Sequence, residues 1–179
     1  MPDLTDRFVK ALAFATERHG EQRRKGTEVP YVSHLLGTCA LVLEAGGDED
    51  EAIAALLHDT LEDQVATFDE VADVFGERVA GIVRECSDSE EDPKPSWKER
   101  KAAYLEALPH HSRSAILVSN ADKLHNLRTI VADYRQIGSD SGNVSTPRAT
   151  RSATTQLLPE CSATWIHPLP MSWSPLLRS

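Results

Sequence analysis

His58 and Asp59 close an otherwise apolar run, Ala54-Ala55-Leu56-Leu57, where polar side chains need a reason. An imidazole offers a neutral nitrogen and a carboxylate an anionic oxygen, so the adjacent pair can hold one divalent ion if the helix end faces it. Glu62 follows His58 by four residues and Asp63 follows Asp59 by four. On a continuing helix each second acid then lies one turn beyond a first-pair residue, and four acid–base groups converge on one patch. Taken alone, His58-Asp59 reads equally as a helix-end imidazole answering the helix dipole beside two solvated acids. His34 sits in the apolar segment Tyr31-Val32-Ser33-His34-Leu35-Leu36, and Asp122 is enclosed by Asn120, Ala121, Lys123 and Leu124. Each alone suits a hydrogen-bonded core residue or an ion-pair member. Together, two His and two Asp from three helices make a bed for a divalent ion with open positions. Such an ion lowers the pKa of water from about 15.7 to roughly 7, which would permit hydrolytic chemistry at neutral pH. The basic run Arg23-Arg24-Lys25 concentrates positive charge beside this candidate site and, taken alone, reads equally as a solvated loop.

The elements that must carry these residues read as successive helices with no alternating strand pattern, so the expected class is all-α. Leu4, Phe8, Leu12 and Ala15 recur at helical spacing from Asp3 to His19, and Gly20 is the expected C-cap. Residues 21–30 are polar, basic and punctuated by Gly26 and Pro30, a loop. A second helix is expected from Tyr31 to Ala45, stopped by Gly46-Gly47. Asp48 should cap a third and central one from Glu49 to about Leu61. Thr67 with Glu70 is a capping-box pair opening a short helix to Phe75, Gly76 separates it from a helix Glu77 to Cys86, and Ser96 with Glu99 repeats the box. That sixth helix should end before Pro109. A long helix is expected from Ser112 to Ile137. The acidic connector between Ser87 and Pro95 reads as a solvated loop without chemistry, His110-His111 as surface, and Trp97 and Tyr104 as helix-packing residues.

Length and composition fit this picture. The 179 residues, 40% hydrophobic and 26% charged, suit one soluble domain, or one domain and a tail, with a core large enough to need no disulfides. A net charge of −9 argues against a nucleic-acid partner held by phosphate neutralisation. The three cysteines, Cys39, Cys86 and Cys161, show neither zinc-ligand nor disulfide spacing, and no signal peptide or membrane span is evident. The expected location is the cytoplasm, with no membrane partner.

Charge and periodicity fail together near Gly138. Residues 139–179 hold 8 Ser, 5 Thr and 5 Pro with a net charge of +1. Residues 1–138 are therefore the expected catalytic domain, and 139–179 a Ser/Thr/Pro-rich tail, either disordered or the product of out-of-frame translation.

The order "RRKG…PYVSH", "LLHDTLED", "FGERVAGIVRECSD", "WKERKAAYL" and "NADKLHNLR" resembles the HD-domain phosphohydrolases. Within them it is most similar to the RelA/SpoT-type alarmone hydrolases of the stringent response in their small single-domain form. The likeness spans about Leu4 to Gly138. It implies an HD-domain helical bundle whose metal ligands are His34, His58, Asp59 and Asp122 and whose ion is typically manganese. It further implies that Glu62 and Asp63 orient or deprotonate the attacking water, and that Arg24, Lys25, Lys123 and Asn126 hold a guanosine nucleotide. His125, beside Asn126, is a candidate to support the ligands. The implied reaction is removal of the 3′-pyrophosphate from guanosine tetra- or pentaphosphate. Another nucleotide phosphohydrolase, or an inactive nucleotide-binding regulatory module, remains the alternative; the complete set of acids and histidines speaks against the latter.

Overall fold

The computed structural model describes residues 3–89, 93 and 95–139. Two units divide the chain, Met1–Asp133 and Tyr134–Ser179, and the architecture below is that of the first. Among the described residues the regular elements are all helical: α1 (Asp6–His19), α2 (Val32–Glu44), α3 (Glu49–Leu57), α4 (Phe68–Phe75), α5 (Glu77–Cys86), α6 (Trp97–Ala107) and α7 (Arg113–Ser139). A 3-10 turn, Leu108–His110, precedes α7, and one isolated antiparallel bridge pairs Arg23 with Pro30. The all-α class is as expected, and none of these helices is long and apolar enough to cross a membrane. Beyond Ser139, which ends α7, the expectation for the tail falls outside the described residues.

Local chemistry sets the helix starts. Asp48 with Glu51, Thr67 with Glu70 and Ser96 with Glu99 all form reciprocal capping boxes, each satisfying two backbone donors that a helix start otherwise leaves free. Thr5 caps α1, which therefore opens at Asp6 rather than Asp3. Gly20 at φ 46° closes α1, its N–H donating to the Thr16 carbonyl at 3.0 Å.

α3 is the axle. Every residue from Ala52 to Leu57 is fully buried, and α1, α2 and α5 pack around it. A run apolar on every side, as Ala52–Leu57 is, is stable only when it is wrapped in this way, and truncating a fully buried leucine such as Leu56 costs about 2–5 kcal/mol. Its far end differs from expectation. α3 stops at Leu57, not near Leu61, because the Thr60 hydroxyl and the Thr60 N–H both turn onto the Leu57 carbonyl, at 2.7 and 2.9 Å. Gln64, at φ 56°, then sends the chain away through the left-handed region. Residues 58–64 are thus a series of tight turns that retains one helical bond, from the Asp63 N–H to the Asp59 carbonyl at 2.8 Å.

Candidate metal centre

Three elements bring four side chains to one point. His34 comes from the first turn of α2, His58 and Asp59 from the end of α3, and Asp122 from α7. The Nε2 atom of His34 lies 3.2 Å from Asp122 Oδ1 and 3.7 Å from Asp59 Oδ2. The Nε2 atom of His58 lies 3.1 Å from Asp59 Oδ2 and 3.9 Å from Asp122 Oδ1. One ligand atom from each of His34, His58 and Asp59 falls within 4.8 Å of the others, the span of atoms sharing one ion.

Each imidazole is turned so that Nε2 faces the cluster. His58 Nδ1 donates to the Ala55 carbonyl at 2.9 Å, which leaves the buried Nε2 to face the carboxylates, Asp59 Oδ2 foremost. His34 Nδ1 lies 2.9 Å from Nδ1 of His125, so one ring donates and the other accepts. Burial and the neighbouring cations push the His125 imidazole down to about 4, so it stays neutral and can accept, with His34 as donor. Outer hydrogen bonds of this kind fix the tautomer of a ligating histidine.

The carboxylates are charged and crowded. Burial pushes Asp59 and Asp122 up, but His58 beside the first and Lys123 beside the second outweigh it and hold both far below the usual carboxylate range. The paired anions in turn override the burial of His58 and raise its imidazole to about 9, so the pocket takes a proton where no other cation is held. A buried pair of carboxylates flanked by two Nε2 atoms therefore fits a divalent cation, whose binding displaces that proton.

His125 reaches His34 only because residue 37 is glycine. A Cβ built on Gly37 of α2 would stand 2.2 Å from the His125 ring. Glycine inside a helix costs about 1 kcal/mol relative to alanine, and this close approach is its return. Gly37→Ala is expected to displace His125 and weaken divalent-metal binding about 10–100-fold, as read by calorimetric titration. Unchanged affinity would show that His34 needs no such support.

The remaining expected site residues divide. Asn126 donates from Nδ2 to Asp122 Oδ1 at 2.5 Å and accepts from Arg24 Nη2 at 2.8 Å, so the basic loop is tied to the cluster through one amide. Lys123 Nζ sits 2.6 Å from Asp122 Oδ2 with its side chain half exposed. Lys25 is exposed on the loop beside Arg24. Glu62 and Asp63 do not share one patch, because the helix that would have aligned them has ended. Asp63 accepts from Gln22 Nε2 at 2.9 Å on the α1 side, whereas Glu62 faces Asp88 and Arg100.

Some residues escaped the sequence reading. Tyr31, beside the basic loop, donates its hydroxyl to Asp59 Oδ2 at 2.5 Å and stacks on the buried His19, ring centroids 5.0 Å apart. Its place three residues before His34 was the available signal. Asp88, in the connector expected to be solvated, has a side chain only 2% exposed, paired with Arg100 and Lys101. Trp97, expected to pack, is 49% exposed.

The family described as HD domain matches residues 11–154. The chain belongs to the HD-domain family. Among HD-domain relatives, it is 46% identical over 126 residues to the guanosine-3′,5′-bis(diphosphate) 3′-pyrophosphohydrolase MESH1 of Xenopus tropicalis, covering 69% of each chain. It is 36% identical over 129 residues to the guanosine-3′,5′-bis(diphosphate) 3′-pyrophosphohydrolase of Aquifex aeolicus, covering 72% of this chain and 18% of that one. A solved structure, described as a metazoan ortholog of SpoT that hydrolyzes ppGpp and plays a role in starvation responses, superposes with a TM-score of 0.67. Its sequence is 36% identical, and 74% of each chain is covered. The HD-domain bundle expected from the motifs is therefore the fold of this chain.

Proposed function

We propose that the chain is a manganese-dependent phosphohydrolase acting on guanosine 3′,5′-bis(diphosphate), releasing pyrophosphate from the ribose 3′ position and leaving GDP. The observation that carries this reading is the His34, His58, Asp59 and Asp122 cluster, two imidazoles and two ionised carboxylates turned onto one buried point. The relatives' activity supports the substrate, and we take residues 1–138 as the domain that performs the reaction. A divalent ion held by these four residues supplies Lewis acidity and lowers the pKa of water toward roughly 7.

The protein's own side chains account for the other requirements. Water adds to the phosphorus next to the ribose, the bond from that phosphorus to the 3′ oxygen breaks, one proton is removed from the attacking water and one is taken up by the departing 3′ oxygen to give the ribose hydroxyl of GDP. Glu62 is the better-suited acceptor: burial, then the charges of Asp88 and Asp59, raise its carboxyl above the ordinary range, nearer to neutral pH. Asp63, on the opposite side of the turn, is assigned to orienting the water through its bond with Gln22. Arg24 and Lys25 meet the phosphates, a fork and a point charge, while Lys123 and Asn126 hold Asp122 in place at the edge of the same pocket.

The testing experiment is release of pyrophosphate from guanosine tetraphosphate by the purified chain with and without manganese. Release that requires the metal supports the reading, and a folded, manganese-binding chain that releases none refutes the substrate. Arg24→Ala should raise KM about 10–100-fold, the loss of a charged hydrogen bond of roughly 1.5–3 kcal/mol, with kcat within a few-fold. A collapsed kcat at unchanged KM would contradict its assignment to substrate binding.

A further inference from the structure

Asp88 sits in an acidic connector, yet its side chain is almost fully enclosed. Burying a carboxylate costs several kcal/mol unless it is well paired, and a buried ion pair seldom outperforms an apolar replacement in stability. Its partners lie one helix away: Arg100 hydrogen-bonds Oδ1, and Lys101 Nζ lies 2.9 Å from Oδ2. Both are on α6, an element with no buried residue of its own. Arg100 Nη1 also stands 3.7 Å from Glu62 Oε1, and the Asp88 N–H points to Glu62 Oε2 at 3.5 Å. Glu62 itself lies in the turns after α3, where no regular helix constrains it.

We propose that Asp88 is a positioning residue for Glu62: it gathers Arg100 and Lys101 so that its own N–H and the Arg100 guanidinium bracket the two oxygens of the Glu62 carboxylate. Arg100 and Lys101 offset the charges of Asp88 and an ionised Glu62 and so hold the carboxylate in place, while burial, Asp88 and Asp59 keep its proton affinity above the ordinary range. This deepens the reading of Glu62 given above and rests on it. The groups facing Glu62 are Asp59 from the same turn series, Asp88 from the connector, and Arg100 and Lys101 from α6.

Asp88→Asn keeps the shape and removes the charge. It should lower kcat about 10–100-fold while KM and manganese affinity stay within about twofold, the pattern of a lost transition-state contact. Arg100→Gln should do the same and Arg100→Lys should recover most of the loss. A kcat within about twofold of wild type in Asp88→Asn and Arg100→Gln, or metal affinity falling in parallel with kcat, would overturn the role. Should Asp88→Asn fail to fold, the Arg100 pair carries the same test.

A second readout does not depend on turnover. The side-chain carboxyl 13C resonance of Glu62, assigned by its loss in Glu62→Gln, is titrated in metal-free protein. Its midpoint should fall in Asp88→Asn and rise in Arg100→Gln, each by about half a pH unit or more, because one variant removes a neighbouring anion and the other a cation. If wild type releases no pyrophosphate yet both shifts appear, the substrate reading falls and the positioning stands. If neither shift appears, the positioning falls.

Discussion

Asp59→Ala is expected to abolish manganese-dependent pyrophosphate release, lowering kcat by about 10³-fold or more, since the several kcal/mol that Lewis-acid stabilisation supplies is lost with the ion. Asp59 is the residue on which the cluster converges. Its Oδ2 lies 3.1 Å from His58 Nε2 and 3.7 Å from His34 Nε2, and it accepts the Tyr31 hydroxyl. Removing it leaves Asp122 as the remaining carboxylate and takes away the first anion that keeps His58 above its ordinary value. The metal-free fold should survive, because the core around α3 is untouched, at some cost in stability from the loss of the His58 and Tyr31 partners of the carboxylate. Thermal melting separates the two effects. Wild type should gain about 2.7 kcal/mol at a hundred times the metal Kd, and the variant should gain nothing at that concentration. Undiminished turnover in a variant that still melts cooperatively would overturn the assignment of the site.

What could be read from the sequence was what neighbours in sequence decide. The N-cap at Asp48 and the capping boxes at Thr67 and Ser96 close over three residues, so their outcome needs no knowledge of the rest of the chain. The proposed metal ligands stood out for a related reason. His34 and His58 are polar residues in apolar runs, and burial of such groups demands partners, whereas Asp122 lies in a mixed stretch of the long helix. The approach of the three elements to one point is tertiary, and the family motifs anticipated it where spacing alone supplied a candidate. Glu62 and Asp63 mark the limit. Their i, i+4 relation to His58 and Asp59 presumed a helix that the Thr60 hydroxyl ends, and a competing side-chain bond of that kind leaves no trace in hydrophobic periodicity. Asp88 marks another. Composition describes an acidic, proline-containing stretch as solvated, whereas the burial of one carboxylate depends on Arg100 and Lys101 arriving from α6.

Glu62→Gln is expected to reduce kcat about 10²–10⁴-fold, the usual contribution of a positioned general base, without loss of manganese binding. The two expectations follow from different contacts. Glu62 lies outside the four-residue cluster and touches Asp88 and Arg100, so an amide in its place leaves the ligand atoms of His34, His58, Asp59 and Asp122 as they are. The amide cannot take up a proton at neutral pH, and its neutrality leaves Arg100 and Lys101 with Asp88 as their one anionic partner in this set. Stability should change little, since the raised Glu62 carboxyl is held above its ordinary value by burial and by two anions. A group with such a raised pKa opposes folding at pH values above its ordinary range, and neutralising it removes that penalty. Asp63→Asn is the natural comparison. Asp63 faces Gln22 and stands 4.0 Å from His19 Nδ1, so its loss should disturb the orientation of that side of the pocket and cost less than the loss of Glu62. If the order is reversed, with Asp63→Asn the more damaging and Glu62→Gln near wild type, the proton acceptor lies on the α1 side of the turn and the division of labour between the two acids is exchanged.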